Sequence, residues 1–429
     1  LALDDVIDGR GQCIFLAGES GIGKTRLVRL LAREAARREV MVAVGGAYAA
    51  ETGMPYGMIS DALVPALKQL PAGALSVLAR GAERELGSLL RGLGLGADLV
   101  DASANRDDDR KTRLLWNFAQ FLTRLGARQP LLLVLENAQW SDPSSIELVH
   151  FLARQLGQSR VLLIVSYAND GQELPSALRT VERSLLARGD AVVRSLEPLT
   201  RFDVLELLHQ LFGLTGDAAA RLGDRIHERS RGNPLFVDQL IRHLVESRRI
   251  WQEGEQWTVA DFDDVGLPAT IREALQGQLA ELETDHRRLA EVAAIIGGRA
   301  TLPLLQAVAA LDAPSLADAV DGLCARRVLR EIAEGDVPQY EFVHPLLQLT
   351  VLAGLTAARR QALHLSTAQE LERALGDAAL TQAGVIARHL VEGRANGGDA
   401  RTLRYMSAAG REALDRHADV EATRFLRDA

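Results

Sequence analysis

Residues Gly18-Glu19-Ser20-Gly21-Ile22-Gly23-Lys24-Thr25 match the pattern GxxxxGK[ST]. An apolar run from Ile14 to Ala17 precedes the match, and a helical pattern follows it. A strand, a glycine loop and a helix in that order form a phosphate-binding P-loop. Glycines let backbone N–H groups converge on an anion, and the helix N-terminus adds the positive end of its dipole. The sequence therefore predicts a nucleotide site at this loop.

The loop residues are assigned separate tasks by the same pattern. The expected ligand is ATP or ADP with Mg²⁺. Lys24 is expected to bridge the β- and γ-phosphates, and the Thr25 hydroxyl to ligate Mg²⁺. The other predicted nucleotide-binding positions of the loop are Gly18, Ser20, Gly21, Ile22, Gly23 and Arg26. A glycine loop that only turns the chain is the alternative, and the agreement of pattern with context disfavours it.

Composition limits the classes of protein to consider. A length of 429 residues with 47% hydrophobic content suits two to four packed domains. A formal net charge of −8 disfavours a nucleic-acid-binding surface spread over the chain. The two cysteines, Cys13 and Cys324, lie far apart, which favours buried thiols over a disulfide or a metal site. With no membrane-length apolar run, we expect a soluble cytoplasmic protein.

Short apolar runs alternate with helical stretches through the first two hundred residues. This alternation predicts a parallel sheet with helices on both faces, which is the fold class of an α/β P-loop NTPase. The predicted strands are Cys13 to Ala17, Val40 to Val44, Leu131 to Leu135, Val161 to Ser166 and Ala191 to Leu196.

Helical patterns dominate the rest of the chain. We predict an all-α lid, then a winged-helix-like domain, and then helices of a repeat region. The winged helix is predicted because helices there precede a hairpin expected around Gly335. Another hairpin is expected around Gly254. Small residues from Ala408 to Ala422 suit closely packed helix pairs. The predicted domains are residues 1–196, 197–265, 266–345 and 346–429, the last being the start of TPR-like repeats.

A catalytic acid is expected at the end of a neighbouring buried strand. Glu136 follows the run from Leu131 to Leu135 and is predicted to act on Mg²⁺ and in catalysis. The next position, where a second acid would activate water, is Asn137, and an amide cannot accept a proton at neutral pH. The alternative is that Glu136 and Asn137 only end a core strand.

Three further segments have competing interpretations. Asn169 could face the γ-phosphate or cap its own turn. The acids at 107–109 are better explained as the solvated start of a helix near Arg113 than as a metal site. The histidines lack metal-ligand spacing, so zinc is unsupported.

Several motifs in order along the chain carry a resemblance to a known family. They are the P-loop, Met54-Pro55-Tyr56-Gly57, Leu135-Glu136-Asn137-Ala138-Gln139-Trp140-Ser141-Asp142-Pro143, Leu196-Glu197-Pro198-Leu199, Gly232-Asn233-Pro234-Leu235-Phe236-Val237, Leu267-Pro268-Ala269-Thr270-Ile271, Phe342-Val343-His344-Pro345-Leu346 and Arg359-Arg360-Gln361-Ala362-Leu363-His364. Together they resemble the signal transduction ATPases with numerous domains (STAND), and among these the ATPase region of large ATP-binding LuxR-type regulators.

The resemblance implies a switch closed around ADP and opened by ATP and an unknown inducer. It implies that Asn233 and Pro234 lie by the adenine and sugar, and that His344 contacts the β-phosphate from the winged helix. The alternative for residues 232–234 is that they only begin a helix. The alternative for His344 is that it is a core histidine. An oligomer in the ATP state is implied by the family alone, and DNA would be bound only by a domain outside residues 1–429.

The chain departs from the family pattern at two positions. The family usually has an acid at position 137 and an arginine at position 168, where this chain has Asn137 and Ala168. Asp142 is a candidate substitute acid, although it would equally serve as the N-cap of a helix from Pro143. We therefore expect nucleotide binding with slow or absent hydrolysis.

Three functions remain open from the sequence. The first is the nucleotide-controlled module of a bacterial transcription regulator. The second is a working AAA-type ATPase that remodels a protein or nucleic acid, and the third is the regulatory module of an attached cyclase or kinase. The start at Leu1 and the end at Ala429 within a helical pattern lead us to expect a fragment of a longer protein.

Overall fold

The computed structural model describes most of the chain, and the remaining residues are left aside. The described residues are 2–48, 55–71, 73–90, 107–169, 174–253, 256–259, 270–332, 337–393 and 399–428. Some residues singled out in the sequence lie outside these ranges. They are Met54, the hairpin turns around Gly254 and Gly335, and Leu267-Pro268-Ala269.

A five-stranded sheet organises the first two hundred residues. Its strand order is β2-β3-β4-β1-β5, and all neighbouring strands are parallel. This confirms the predicted parallel α/β sheet, with small shifts in strand ends. The strands are β1 Gln12–Gly18, β2 Met41–Gly46, β3 Leu131–Glu136, β4 Val161–Ala168 and β5 Val192–Ser195.

Central strands of this sheet are buried on both faces, as their sequences require. All five residues from Leu131 to Leu135 in β3 have no exposed surface, which is typical of a parallel strand covered by helices on both sides. Successive side chains along the strands point to opposite faces of the sheet and pack into two separate hydrophobic cores, one on each face. Cys13 is buried and its pKa is raised to about 12 by that burial, whereas Cys324 is only partly buried.

Helices flank the sheet and connect its strands. They are α1 Ala2–Ile7, α2 Lys24–Arg37, α3 Gly57–Lys68, α4 Ala74–Ala79, α5 Glu83–Leu89, α6 Asp107–Arg128, α7 Pro143–Gln155 and α8 Ser176–Arg188. The expected helix start near Arg113 is wrong, because α6 already begins at Asp107. Acids in the first turn are compatible with the helix dipole, so the helix extends over them.

A small helical layer follows the sheet. It consists of α9 Arg201–Phe212, α10 Gly216–Ser230 and α11 Pro234–Glu246, and then the antiparallel strands β6 Ile250–Glu253 and β7 Gln256–Val259. Thr200 and Asp203 form a capping box that begins α9. The predicted change to a helical pattern after Leu196 and the predicted hairpin are both confirmed.

The next segment combines helices with a three-stranded antiparallel sheet of order β8-β10-β9. The sequence predicts the β9–β10 hairpin but not β8, which has only two residues and therefore no readable alternation. The elements are α12 Ile271–Ala280, α13 Thr284–Ile296, β8 Ala300–Thr301, α14 Leu302–Ala309, α15 Ala313–Ala325, β9 Leu329–Ile332 and β10 Gln339–Phe342.

Helices form the described part of the last segment, as the sequence predicts. They are α16 Pro345–Gly354, α17 Ala357–Leu375, α18 Ala383–Glu392, α19 Ala400–Asp415 and α20 Asp419–Asp428. The small side chains of Ala413, Ala418 and Ala422 are buried together where α19 meets α20. These residues allow the close approach that their spacing predicts.

Candidate nucleotide-binding site

The P-loop joins the end of β1 to the start of α2. Lys24, the first residue of α2, is 91% buried, and its Nζ donates hydrogen bonds to the carbonyl oxygens of Gly18 at 2.8 Å and Glu19 at 2.9 Å. The ammonium group therefore lies inside the ring of loop backbone, where a phosphate would also be bound.

A threonine and a glutamate meet at the carboxyl edge of the sheet. The Thr25 Oγ1 donates a 2.7 Å hydrogen bond to the Glu136 Oε1 across 111 positions of sequence. Glu136 ends β3, and β4 lies between β3 and the P-loop strand β1. The acid is thus on the second strand from the P-loop strand. The sequence predicted it on the neighbouring strand, and that expectation is wrong. The two residues still meet because Thr25 is on the first turn of α2.

The chemistry of this pair fits a magnesium ion. A carboxylate and a hydroxyl are hard oxygen ligands, and Mg²⁺ in nucleotide sites takes one or two such protein groups together with phosphate oxygens. Burial raises the pKa of Glu136, and the charge of Glu341 raises it further, whereas the hydrogen bond from Thr25 and the charge of Lys24 lower it. Thr25 and Glu136 are therefore the residues that could hold the metal.

The segment after Glu136 lacks a second acid but has an ordered backbone. Asn137 adopts a left-handed conformation with φ of 58°, which asparagine tolerates better than most residues. Gln139 Oε1 accepts a 3.0 Å hydrogen bond from the Ala168 N–H, tying this segment to the end of β4. The exposed Asn169 donates its backbone N–H to the Gly18 carbonyl oxygen at 3.3 Å.

Asp142 is the N-cap of α7. Its carboxylate accepts hydrogen bonds from the Ser145 N–H at 2.8 Å, the Ser145 Oγ at 2.6 Å and the Tyr56 N–H at 3.0 Å. The side chain is 95% buried, and burial, with the charge of Glu421, raises its pKa from 3.8 to about 6. The capping interpretation of Asp142 therefore matches the geometry, and both carboxylate oxygens are already engaged.

The loop before α11 contacts the P-loop directly. Asn233 Nδ2 donates a 2.9 Å hydrogen bond to the Ser20 carbonyl oxygen, and the Leu235 N–H donates to the Gly21 carbonyl oxygen at 3.2 Å. Asn233 also caps α11, with Pro234 in its first turn. A side chain at Gly21 would place its Cβ 2.8 Å from the Asn233 Oδ1. The predicted nucleotide residues from distant parts of the sequence are thus brought together here.

His344 lies at the N-terminus of α16, directly after the β9–β10 hairpin. Its Nδ1 accepts a 3.1 Å hydrogen bond from the Leu346 N–H, so the histidine is the N-cap of α16. The side chain is half-buried. Because Nδ1 serves as an acceptor, the proton of a neutral ring lies on Nε2 and could be donated to an anion.

Residues 1–165 match a known family model. Its description is AAA ATPase domain, and the matched region contains the P-loop, Thr25 and Glu136. This similarity to an AAA ATPase domain is independent of the hydrogen bonds above, and we refer to residues 1–165 as the ATPase domain. It ends within β4 of the sheet.

Two relatives extend over the whole chain. An uncharacterized protein of Rhizobium meliloti (strain 1021) is 26% identical over 448 residues, covering 99% of this chain and 41% of its own length. The solved structure of a STAND protein with a tetratricopeptide repeat sensor from Pyrococcus horikoshii has a TM-score of 0.55 and 11% identity, with 100% of this chain and 52% of that one covered. The fold is thus similar to that of this solved STAND protein, and the chain spans about half or less of the length of either protein.

Among the helices of the described residues, none has both the length and the apolar character that crossing a bilayer requires.

The sequence missed one group of residues near the ATPase domain. Five polar and charged side chains meet beside the ends of β2 and β3. They are Tyr48, Asp61, Arg299, Arg330 and Glu341. They are scattered over nearly three hundred positions and form no local motif. One signal was available from the sequence. Glu341 is a charged residue between Tyr340 and Phe342, and a charge in such a strand indicates a buried partner.

Proposed function

We propose that this chain is the nucleotide-controlled switch module of a bacterial signalling protein, most simply a LuxR-type transcription regulator, and that it hydrolyses ATP slowly or not at all. The observation that carries the proposal is the Thr25–Glu136 hydrogen bond beside a buried Lys24, followed by an amide at position 137. Groups that bind a nucleotide are thus present, whereas a general base at 137 is absent.

Each group has a defined task in nucleotide binding. Lys24 would exchange its two carbonyl partners for phosphate oxygens, and the loop N–H groups would bind the remaining charge. Thr25 and Glu136 would hold Mg²⁺, which when bound neutralises phosphate charge. Glu136 would also orient groups on the metal side of the site. Because position 137 is an amide, it cannot take a proton from water.

The switch would use contacts between the ATPase domain and later segments. Asn233 already links the loop before α11 to the P-loop, and His344 would contact the β-phosphate in the closed form by analogy with STAND proteins. Changing such a module from about 1% to 99% open requires roughly 5.5 kcal/mol of differential binding. Contacts available only in the closed form supply this kind of difference.

Binding and turnover measurements test the proposal. We expect purified protein to bind fluorescent ADP and ATP, and Lys24→Ala to lose at least tenfold in affinity because the buried ammonium is the main cation of the loop. Turnover should stay below about one per second, the low end of ordinary enzymes. Asn137→Asp should raise the hydrolysis rate while leaving ADP affinity within about twofold.

Two outcomes would contradict the proposal. Absence of nucleotide binding in the wild type would remove the switch altogether. Rapid hydrolysis by the wild type would instead favour a working AAA-type ATPase, the second candidate function, which the intact Thr25–Glu136 pair allows. An attached cyclase or kinase as the controlled partner would be recognised in the sequence of the full-length protein.

A further inference from the structure

Glu341 is a buried acid of the three-stranded sheet that reaches the ATPase domain. It lies on β10 and is 93% buried. Its Oε1 accepts a 2.7 Å hydrogen bond from the Arg330 Nε of the neighbouring strand β9. Its Oε2 accepts a 3.3 Å hydrogen bond from the Tyr48 hydroxyl, which belongs to the segment after β2. One carboxylate thus bridges two sheets that are almost three hundred residues apart in sequence.

An arginine makes a second connection between the same two parts. Arg299, in the loop between α13 and β8, has its Nε 3.9 Å from the Glu341 Oε2 and its Nη1 3.9 Å from the Asp61 Oδ1. Asp61 lies on α3 and accepts a 2.9 Å hydrogen bond from the Gly46 N–H at the end of β2. The charged cluster therefore surrounds the carboxyl end of β2.

This strand end adjoins the predicted metal ligand. Gly46 is paired with Glu136 in the parallel register, and the Ala47 N–H donates a 2.9 Å hydrogen bond to the Glu136 carbonyl oxygen. Tyr48, which donates to Glu341, is the next residue along the chain. Glu341 is thus connected to Glu136 through the backbone of residues 46–48.

We propose that Glu341 is a positioning residue of the divalent-cation site, so that a cation held at Thr25 and Glu136 also stabilises the contact between the ATPase domain and the β8–β10 sheet. The proposal rests on the nucleotide-binding function proposed above. Glu341 accepts a hydrogen bond from Tyr48 and so holds the segment after β2, whose Ala47 N–H donates to the Glu136 carbonyl oxygen. Through these contacts Glu341 would fix the backbone that carries the metal ligand Glu136.

Purely structural ion pairing explains only part of this arrangement. Arg330 alone would satisfy Glu341 within the β9–β10 hairpin. The Tyr48 hydroxyl and the Asp61–Arg299 connection add nothing to the hairpin itself, but they fix the carboxylate against the end of β2. By linkage, if the cation favours this contact, then the contact must favour cation binding by the same factor.

The test measures how strongly magnesium and ADP binding depend on each other. The ADP dissociation constant is determined by fluorescence of a labelled ADP in EDTA and in excess Mg²⁺, and the ratio of the two is compared between variants. We expect Glu341→Gln to reduce this ratio roughly fivefold or more. Glu331→Gln, an exposed acid on the same hairpin, is the matched control and should keep the wild-type ratio.

A structural role of Glu341 alone gives a different result. In that case the melting temperature of Glu341→Gln would fall equally with and without Mg²⁺ and ADP. The ratio of the ADP dissociation constants in EDTA and in Mg²⁺ would stay at the wild-type value, and this result would overturn the proposal. If circular dichroism shows that this variant does not fold, Tyr48→Phe decides instead. That variant keeps the Glu341–Arg330 pair and loses only the positioning hydroxyl. A reduced ratio supports the proposal, and an unchanged one overturns it.

Failure of the inference is distinguishable from failure of the proposed function. If the wild type binds no ADP in either buffer, then the nucleotide-binding function itself is refuted. If the wild type binds ADP with a clear magnesium dependence that Glu341→Gln retains in full, then only the role of Glu341 is refuted.

Discussion

Single residues in this protein often serve two neighbours at once. Asn233 caps α11 with its Oδ1 and donates from its Nδ2 to the Ser20 carbonyl oxygen of the P-loop. Lys24 similarly holds two loop carbonyl groups from one ammonium. Protein contacts thus shape the P-loop, and a distant segment contributes to that shape.

The two tasks of Asn233 can be separated by substitution. Asn233→Ser retains an N-cap oxygen but lacks the amide donor that reaches Ser20, whereas Asn233→Ala loses both. We expect both variants to weaken ADP binding severalfold, and the alanine variant to lose about 1 kcal/mol more unfolding free energy because a cap is removed. Fluorescence titration and thermal unfolding measure the two effects. Wild-type ADP affinity in Asn233→Ser would show that the Ser20 contact does not support binding.

The sequence predicts those parts of the site that depend on local pattern. The P-loop is continuous, and Glu136 ends an apolar run, so both are readable without the fold. By contrast, nothing near Glu341 or Tyr48 in sequence indicates the other. Their meeting depends on how the β8–β10 sheet packs against β2, which is a tertiary property. Similarly, the two-residue strand β8 exists only because β10 offers it hydrogen bonds.

At the scale of elements, α7 connects the nucleotide site to the last helices. Its N-cap, Asp142, lies six residues after Glu136. Its first turn also contacts α20, because the Ser144 N–H and Oγ donate to the buried Glu421 carboxylate at 3.3 Å and 3.0 Å. Two acids thus share one helix N-terminus, where the dipole favours both although their charges repel each other.

This shared terminus predicts a pH dependence of stability. The pKa of Asp142 in the folded protein, about 6, is above its ordinary value of 3.8, mainly because of burial. The folded state therefore binds this proton more tightly, and the resulting stability is present below pH 4 and lost as the pH rises through 6. Full ionisation costs at most about 3 kcal/mol of unfolding free energy.

Comparison with one variant isolates the contribution of Asp142. Asp142→Asn keeps a capping side chain and removes the titrating group. Thermal unfolding at pH 5 and pH 7.5 should show a larger loss of stability at the higher pH in the wild type than in the variant. Identical differences in the two proteins would exclude Asp142 as the source.

At the scale of the whole molecule, several late segments contact the ATPase domain near its nucleotide site. The loop before α11 reaches the P-loop, the β8–β10 sheet reaches the end of β2, and α20 reaches α7. Of these contacts, that of the loop before α11 is made with the P-loop itself. If the proposed switch function is correct, a bound nucleotide should change this interface first.

His344 provides a test of this dependence on the nucleotide. If its Nε2 contacts the β-phosphate in the closed form alone, His344→Ala should weaken ADP binding more than ATP binding and make the protein more open. Because the variant also loses the N-cap of α16, His344→Asn serves as a control that retains a cap. Titration with both nucleotides and small-angle X-ray scattering measure the effects. Equal weakening of ADP and ATP binding would refute the role.

The contact between Ser144 and Glu421 makes one backbone amide a natural reporter. The Ser144 N–H is in the first turn of α7, where the helix itself offers no acceptor, so its protection from hydrogen exchange depends on a carboxylate from α20. Whenever the last helices lift from the ATPase domain, this amide exchanges while the rest of α7 stays protected. The exchange rate of this one amide would therefore report how often α20 separates from α7.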